Sequence, residues 1–221
     1  MGVARPEGAD APVSAPEAAA WSTGRAVVGI DEVGRGAWAG PLTVGAVVLD
    51  PAHLPAGVRD SKRLTPARRE AVATTVHATA LVGIGAASNT EIDTVGLAAA
   101  LTLAVGRALD AVLGGAGAPT DPLVLVDGPH DLVRRPGVDV ATLVGGDAAS
   151  VSIAAASVVA KVDRDARMVD ADAHHPGYGF ARNRGYPAPE HVTALARLGP
   201  CALHRHSWAP IARLVQPTLE V

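Results

Sequence analysis

The alternation of apolar and polar positions predicts five strands. Apolar, β-branched runs occupy Ala26–Asp31 and Leu42–Asp50 on either side of a glycine-rich turn, which indicates two neighbouring strands. Leu81–Ala87 predicts a third strand, and Leu123–Asp127 is a short apolar run typical of a buried strand. A fifth strand is expected around Val138–Val144.

Segments in which apolar residues have helical spacing lie between and after these strands. Thr65 and Pro66 form a start signal for a helix that runs to about Thr79. Another helix is predicted from Asn89 or Thr90 to the Gly114–Gly115 pair. Two more helices are expected over residues 150–171 and 189–198, followed by a tail past residue 208. Strands that alternate with helices predict an α/β fold.

The first 23 residues differ from the rest of the chain. They are rich in Ala, Pro and Glu, show no periodicity, and predict a flexible tail before one domain over residues 24–221. Within that domain, residues 172–221 are expected to form a small C-terminal helical part. Acidic residues interrupt the first 20 positions, and no apolar run is long enough for a membrane helix. We therefore expect a cytoplasmic protein with no membrane partner.

Composition narrows the chemistry. The 48% of hydrophobic residues and 3% of aromatic residues indicate a core built from Ala, Val, Leu and Ile. Cys201 is the only cysteine, which excludes an internal disulfide and a thiolate zinc site. A formal net charge of -3 argues against binding nucleic acid through global positive charge, so local charge has to decide.

Carboxylates gather where predicted strands end. Asp31 and Glu32 close the first strand, Asp127 closes the fourth, and Asp147 precedes the helix that starts near Ser150. Such residues can simply start turns. Several carboxylates at one sheet edge, however, need a nearby cation, and Mg²⁺ or Mn²⁺ prefers oxygen ligands. Because adjacent strand residues face opposite ways, Asp31 and Glu32 can share a site only if the strand is ending there.

Six ordered motifs carry a resemblance to a known family. Together they span about residues 25–215, and their order makes a chance match improbable. They resemble the motifs of type 2 ribonucleases H, and of ribonuclease HII in particular: GIDEVGRGAWAGP (29–41), DSKRL (60–64), VLVDG (124–128), SIAAASVVAKVDRD (152–165), YGFARNRGYP (178–187) and HRHSWAP (204–210).

The resemblance implies a ribonuclease H-like fold, with a mixed sheet flanked by helices and a C-terminal helical part that completes a nucleic-acid groove. It also implies a metal-dependent endonuclease acting on RNA in RNA–DNA hybrids and at single ribonucleotides in duplex DNA. Two divalent ions, Mg²⁺ or Mn²⁺, would lie about 3.5 to 4 Å apart and give 5′-phosphate and 3′-hydroxyl ends. The four acidic positions of the family carry over to Asp31, Glu32, Asp127 and Asp147.

The sequence departs from the family near the fourth acid. Gly145 stands where the family often has a lysine, and His130 stands where an asparagine is common. Asp131 and Asp139 compete with Asp147 on composition, although neither directly precedes the serine-rich helix.

The resemblance also implies substrate-binding residues. Gly34, Arg35 and Gly36 would contact the ribose 2′-hydroxyl, because a glycine-rich loop lets the backbone approach the minor groove. Tyr178 would stack on the neighbouring sugar, so that a lone ribonucleotide is cut on its 5′ side. The alternative is that Tyr178 anchors the C-terminal helices.

Basic residues point to phosphate contacts. Lys62 and Lys161 are the only lysines, and both fall in these motifs. Ser157 shares one helical face with Lys161, although that face can also be merely solvated. The densest basic cluster surrounds Lys62 and consists of Arg59, Arg63, Arg68 and Arg69.

Other interpretations compete with this one. The GRGAWAG segment is similar to a dinucleotide-binding loop, but Pro41 and the following strand leave no helix N-terminus for a pyrophosphate. His204 and His206 could bind a metal, although a structural or phosphate-facing role is favoured. The rival classes are an inactive nucleic-acid-binding relative and a structural α/β protein. Ribonuclease HIII competes within the enzyme class, but it carries an extra N-terminal domain for which a 23-residue tail is too short. A monomer is expected.

Overall fold

A five-stranded mixed sheet forms the centre of the protein in a computed structural model, which describes residues 12–59 and 61–215. The order across the sheet is β3-β2-β1-β4-β5. The pairs β1–β2 and β2–β3 are antiparallel, whereas β1–β4 and β4–β5 are parallel. The strands are β1 (Val27–Val33), β2 (Leu42–Val48), β3 (Leu81–Ala87), β4 (Leu123–Asp127) and β5 (Asp139–Leu143).

The helices of the described residues cover both faces of this sheet and build the C-terminal part. A 3-10 turn over Ser61–Arg63 lies between β2 and the second helix. The helices are α1 (Ala15–Ser22), α2 (Pro66–Thr79), α3 (Asn89–Val95), α4 (Leu97–Leu113), α5 (Gly146–Ala149), α6 (Val151–His174), α7 (Phe180–Asn183), α8 (Pro189–Leu198) and α9 (Ala209–Val215). The expected mixed sheet flanked by helices is therefore confirmed.

Two apolar cores hold the layers together. Helix α4 packs its buried Ala, Leu and Val face on β2 and β3. Helices α2 and α6 cover the opposite face of the sheet. At Gly29 and Gly45, any added Cβ atom would collide with the backbone of α6. These glycines let α6 cross β1 and β2 at close range, which places the serine-rich half of α6 beside the end of β1.

The N-terminal segment corrects one expectation. Where a flexible tail was predicted over residues 1–23, residues 15–22 form a helix with a complete capping box of Ser14 and Glu17. Glu17 is fully buried, and its Oε1 accepts a hydrogen bond from the backbone N–H of Ser152 at 2.9 Å. Residues 1–11, the rest of the predicted tail, lie outside the described residues.

Two other boundaries differ from expectation. The helix predicted from residue 89 is two helices, because Gly96 has a φ of 81° and ends α3. The N-cap of α3 is Ser88 instead of the predicted Asn89 or Thr90, and the Ser88 side chain accepts a hydrogen bond from the Glu91 N–H. The expected tail past Trp208 contains a further helix, α9.

The C-terminal part has a small aromatic core of its own. Phe180 is fully buried there, stacked on Tyr178 at 5.4 Å between ring centroids. Met168 of α6 and Ile211 of α9 close this core from two sides. Within the described residues, no helix is both long and apolar enough to cross a membrane.

Candidate active site

Three of the four predicted acids meet at the end of the parallel strands. Asp31 lies on β1, Asp127 ends β4, and Asp147 lies in the short helix α5. Each offers a carboxylate oxygen, and these oxygens all lie within 4.8 Å of one another. We call these three residues the acidic cluster. Hard divalent cations take such a set of oxygen donors, so the residues fit the metal that the sequence predicts.

Burial makes the cluster electrostatically unfavourable without a cation. Asp31 is only 6% exposed, and burial raises its pKa from 3.8 to about 7. A hydrogen bond from Ser157 works against this rise, whereas the neighbouring charges of Glu32 and Asp127 add to it. A bound divalent cation would reverse the balance by favouring the ionised carboxylate.

A backbone hydrogen bond holds Asp127, and an ion pair holds Asp147. The backbone N–H of Gly146 donates to Asp127 Oδ1 at 2.7 Å. Burial, followed by the nearby charge of Asp147, raises the pKa of Asp127. The Lys62 ammonium forms an ion pair with Asp147 Oδ2 at 3.0 Å. The structure thus selects Asp147, and neither Asp131 nor Asp139, as the acid that joins Asp31 and Asp127.

Glu32 lies beside the acidic cluster but outside it. Strand β1 continues to Val33, and adjacent side chains of a strand point to opposite faces of the sheet. The side chain of Glu32 therefore points to the face opposite that of Asp31. Its carboxylate accepts from Arg35 at 3.1 Å and keeps 16% of its side chain exposed. Glu32 and Asp127 line the same groove of about 790 Å³, which continues along the first turns of α4.

Two buried arginines support the glycine-rich loop over residues 34–41. Arg205 donates to the carbonyls of Gly34 and Gly40, and Arg164 donates to the carbonyl of Pro41 at 2.8 Å. Burial lowers the pKa of both guanidinium groups, to about 10 for Arg205. The motif analysis did not assign these supporting roles, because arginine is frequent throughout this sequence and nothing local marks these two as buried.

Ser157 and Lys161 occupy successive turns of α6. The hydroxyls of Ser157 and Ser61 lie 2.8 Å apart. This hydrogen bond joins α6 to the 3-10 turn over Ser61–Arg63, called here the Lys62 segment. Lys161 is half-buried and forms an ion pair with Asp165 at 2.6 Å. Ser157 is therefore part of the surroundings of Asp31, whereas Lys161 is held one turn further along the helix.

The two tyrosines have different positions, and this corrects the prediction for Tyr178. Tyr178 is buried in the C-terminal core, where its hydroxyl donates to Gly199 O at 2.7 Å. Its ring has too little exposed surface to stack on a sugar. Tyr186 is partly exposed, with its ring 5.2 Å from the Arg164 guanidinium carbon. The preceding Gly185 accepts hydrogen bonds from the loop residues Trp38 and Ala39 through its carbonyl, so Tyr186 is the tyrosine beside the loop.

His204 and His191 form a buried pair in the C-terminal core. The Nε2 atoms of His204 and His191 lie 3.0 Å apart, in the same core as Tyr178. Burial lowers the pKa of His204 to about 4, so it is neutral near pH 7. His206 is exposed, and its backbone N–H donates to Asp93. The two histidines of the HRHSWAP segment therefore do not converge on one metal.

Comparison with known proteins agrees with this geometry. The family model described as Ribonuclease HII matches residues 28–211. A ribonuclease HII of Rhizorhabdus wittichii is 48% identical over 189 residues, covering 85% of this chain and 89% of the relative. A ribonuclease HII of Paramagnetospirillum magneticum is 50% identical over 196 residues, covering 86% of this chain and 93% of the relative.

A solved structure shares the fold. The crystal structure of ribonuclease H2 from Pyrococcus horikoshii superposes with a TM-score of 0.70 at 23% sequence identity. The match covers 86% of this chain and 96% of that chain. Members of the ribonuclease HII family are metal-dependent hydrolases that cleave RNA in RNA–DNA hybrids. The acidic cluster fits this chemistry. The chain belongs to the ribonuclease HII family.

Proposed function

We propose that this ribonuclease H also cleaves at single ribonucleotides embedded in duplex DNA, on the 5′ side of the ribose. We further propose that it uses two divalent cations, Mg²⁺ or Mn²⁺, and leaves 5′-phosphate and 3′-hydroxyl ends. The acidic cluster, with three carboxylates within 4.8 Å of one another, carries the catalytic part of this proposal. One chain suffices for the reaction, because every group invoked belongs to it.

The chain's own residues bind and orient the reacting groups. When bound, the cations would supply an activated water and stabilise the leaving oxygen. Asp31, Asp127 and Asp147 would hold them, with Glu32 facing the same groove from the side. Lys62 and Ser157 keep Asp147 and Asp31 in place through their contacts with those carboxylates. Because the cations would activate the water, the proposal invokes no histidine as general base.

Substrate contacts follow from what surrounds the cluster. Arg35 and Gly36 are exposed on the loop, and the partly exposed Tyr186 follows Gly185, whose carbonyl accepts from the loop residues Trp38 and Ala39. We assign the sugar contact to Tyr186, because Tyr178 is enclosed in the core. The exposed Arg63 and Arg68 flank Lys62 and would contact the phosphate backbone.

A cleavage assay tests the proposal. One strand carries a single ribonucleotide within duplex DNA, and a matched duplex carries a continuous RNA strand. We expect Mg²⁺-dependent cleavage of both, with a product 3′-hydroxyl that a polymerase can extend. Cleavage of the hybrid alone would refute the single-ribonucleotide activity. Products with a 3′-phosphate would refute the proposed mechanism.

A further inference from the structure

Arg205 is a fully buried cation that is satisfied by one loop. Its guanidinium donates to Gly34 O at 2.7 Å, to Arg35 O at 3.0 Å and to Gly40 O at 3.1 Å. Across the chain from residue 12 to 215, leaving out residue 60, no carboxylate forms an ion pair with it. A buried charge without a counter-charge is costly, so this arrangement calls for an explanation.

The geometry of the peptide bond shows what Arg205 does to the loop. The described part of the chain has no cis peptide, and in a trans peptide the C=O and the N–H point in opposite directions. Because the carbonyls of Gly34 and Arg35 turn inward to Arg205, the following N–H groups of Arg35 and Gly36 turn outward. Arg35 and Gly36 are both exposed. In the described residues, neither N–H donates to a protein acceptor.

The space around Gly36 and the charge of Arg205 both favour a ligand at these N–H groups. A Cβ atom added to Gly36 would meet nothing within 4 Å, and its φ is not positive, so the fold does not require glycine there. An absent side chain at an exposed position leaves room for close approach of a ligand to the backbone. In addition, a cation bonded to the carbonyl side of a peptide polarises it and makes the N–H a stronger donor.

We propose that Arg205 is a positioning residue that aims the N–H groups of Arg35 and Gly36 at the ribose 2′-hydroxyl oxygen of the substrate. This inference rests on the proposed single-ribonucleotide function and identifies the group that prepares the loop for it. The guanidinium is suited to this task because its planar fork reaches several carbonyls at once, which a lysine ammonium cannot do in the same way.

Equilibrium binding to two duplexes tests the inference. One duplex is entirely DNA and the other has the same sequence with one ribonucleotide, and both are measured by fluorescence anisotropy with Ca²⁺ in place of Mg²⁺. The readout is the Kd for the DNA duplex divided by the Kd for the ribonucleotide duplex. In Arg205→Lys this ratio should fall about 10-fold, as two hydrogen bonds are weakened. The Kd for the DNA duplex should change less than about 2-fold, since phosphate contacts remain.

Arg69→Lys is the matched control. Arg69 also donates to two loop carbonyls, those of Ser61 and Leu64, but it supports the Lys62 segment. Its substitution should leave the ratio unchanged. A wild-type ratio near one would refute the proposed single-ribonucleotide recognition itself. A wild-type ratio well above one that Arg205→Lys preserves would refute only the role of Arg205, as would equal weakening on both duplexes.

A measurement on the unaltered protein covers the case in which Arg205→Lys does not fold. In protein labelled with ¹⁵N at arginine and glycine, the amide signals of Arg35 and Gly36 should shift with the ribonucleotide duplex and not with the DNA duplex. The same shift with both duplexes, or none with either, would overturn the inference.

Discussion

Two regions beside α6 handle buried charge in opposite ways. At its N-terminal end, the carboxylates of the acidic cluster crowd together, and burial raises the pKa of Asp31 and Asp127. Arg164, in the second half of this helix, and Arg205, between α8 and α9, are equally buried, yet backbone carbonyls accept from both. The cost of burial is therefore only partly offset at the acidic cluster, by contacts with Ser157, Gly146 and Lys62, whereas several backbone carbonyls offset it at the two arginines.

The difference separates a reactive site from a scaffold. Carboxylates that repel one another gain most from an added cation, so the acidic cluster is prepared for metal binding. The arginines already have their hydrogen-bond acceptors, and what they fix is the shape of the loop over residues 34–41. Breaking each region should consequently have a different signature: loss of catalysis for the carboxylates, and loss of structure or substrate preference for the basic and aromatic residues.

The largest effect is expected for Asp127→Asn. This change removes one negative charge from the acidic cluster and should lower kcat by about 10³-fold with Mg²⁺, because the cations lose a ligand. Steady-state cleavage of an RNA–DNA hybrid measures it. Asp121→Asn, which alters an exposed aspartate just before the opposite end of β4, is the control and should keep normal turnover. Near-normal activity of Asp127→Asn would remove this residue from the mechanism.

The next effect concerns the stability of the protein in chelator. Asp31 has a pKa of about 7 when folded and 3.8 as a free side chain, so the folded state binds more protons between these values. The free energy of unfolding should therefore decrease as pH rises through that window. Asp31→Asn should remove the contribution of Asp31 to this decrease and stabilise the protein at about pH 8 by up to about 4 kcal/mol. Thermal unfolding in EDTA measures both, and a lower Tm for the variant would contradict the electrostatic argument.

The histidine pair should respond to pH in the opposite direction. His204 has a pKa of about 4 when folded and 6.5 when free, so the unfolded state binds more protons in that range. The free energy of unfolding should fall by about 3 kcal/mol as pH drops from 6.5 to about 4. Measuring unfolding in the Asp31→Asn background removes one of the carboxylates whose pH dependence opposes that of His204. An imidazole NMR signal of His204 that titrates near pH 6.5 would disprove the assignment.

The smallest effect on activity separates the two tyrosines. Tyr178→Ala should destabilise the protein by about 3 kcal/mol and reduce cleavage of both substrates alike, since it opens the C-terminal core. Tyr186→Ala should keep the Tm and lose about 10-fold on the single-ribonucleotide duplex only, as one stacking contact disappears. Differential scanning calorimetry and the two-substrate assay measure this contrast. Selective loss in Tyr178→Ala with an unchanged Tm would reverse the assignment.

Local sequence signals predicted much of the fold. Leu81–Ala87, Leu123–Asp127, Pro66–Thr79 and Pro189–Leu198 have the expected bounds. The strands are β-branched runs next to turn residues, and a proline at the first helical position fixes where each of these two helices starts. These signals act over a few residues and need no tertiary partner.

The errors came from contacts between distant residues. Helix α1 was missed because its buried Glu17 is satisfied by Ser152, 135 positions away. Tyr178 was given a substrate contact because its motif holds two tyrosines, and only packing shows which one is enclosed. Three acids of the candidate site were correctly brought together, but the side-chain direction of Glu32 depended on where β1 ends.

The contact between Glu17 and Ser152 shows that the folded domain begins before the segment that the family match covers. The family match begins at residue 28, yet Glu17 holds the first turn of α6, next to the Asp147 segment, from outside that match. A chain shortened to residue 28 would lose this acceptor and expose Ile153 and Leu125, which pack with Ala20 of α1. We therefore expect a shortened form of this enzyme to need α1, with its capping residue Ser14, in order to keep these contacts.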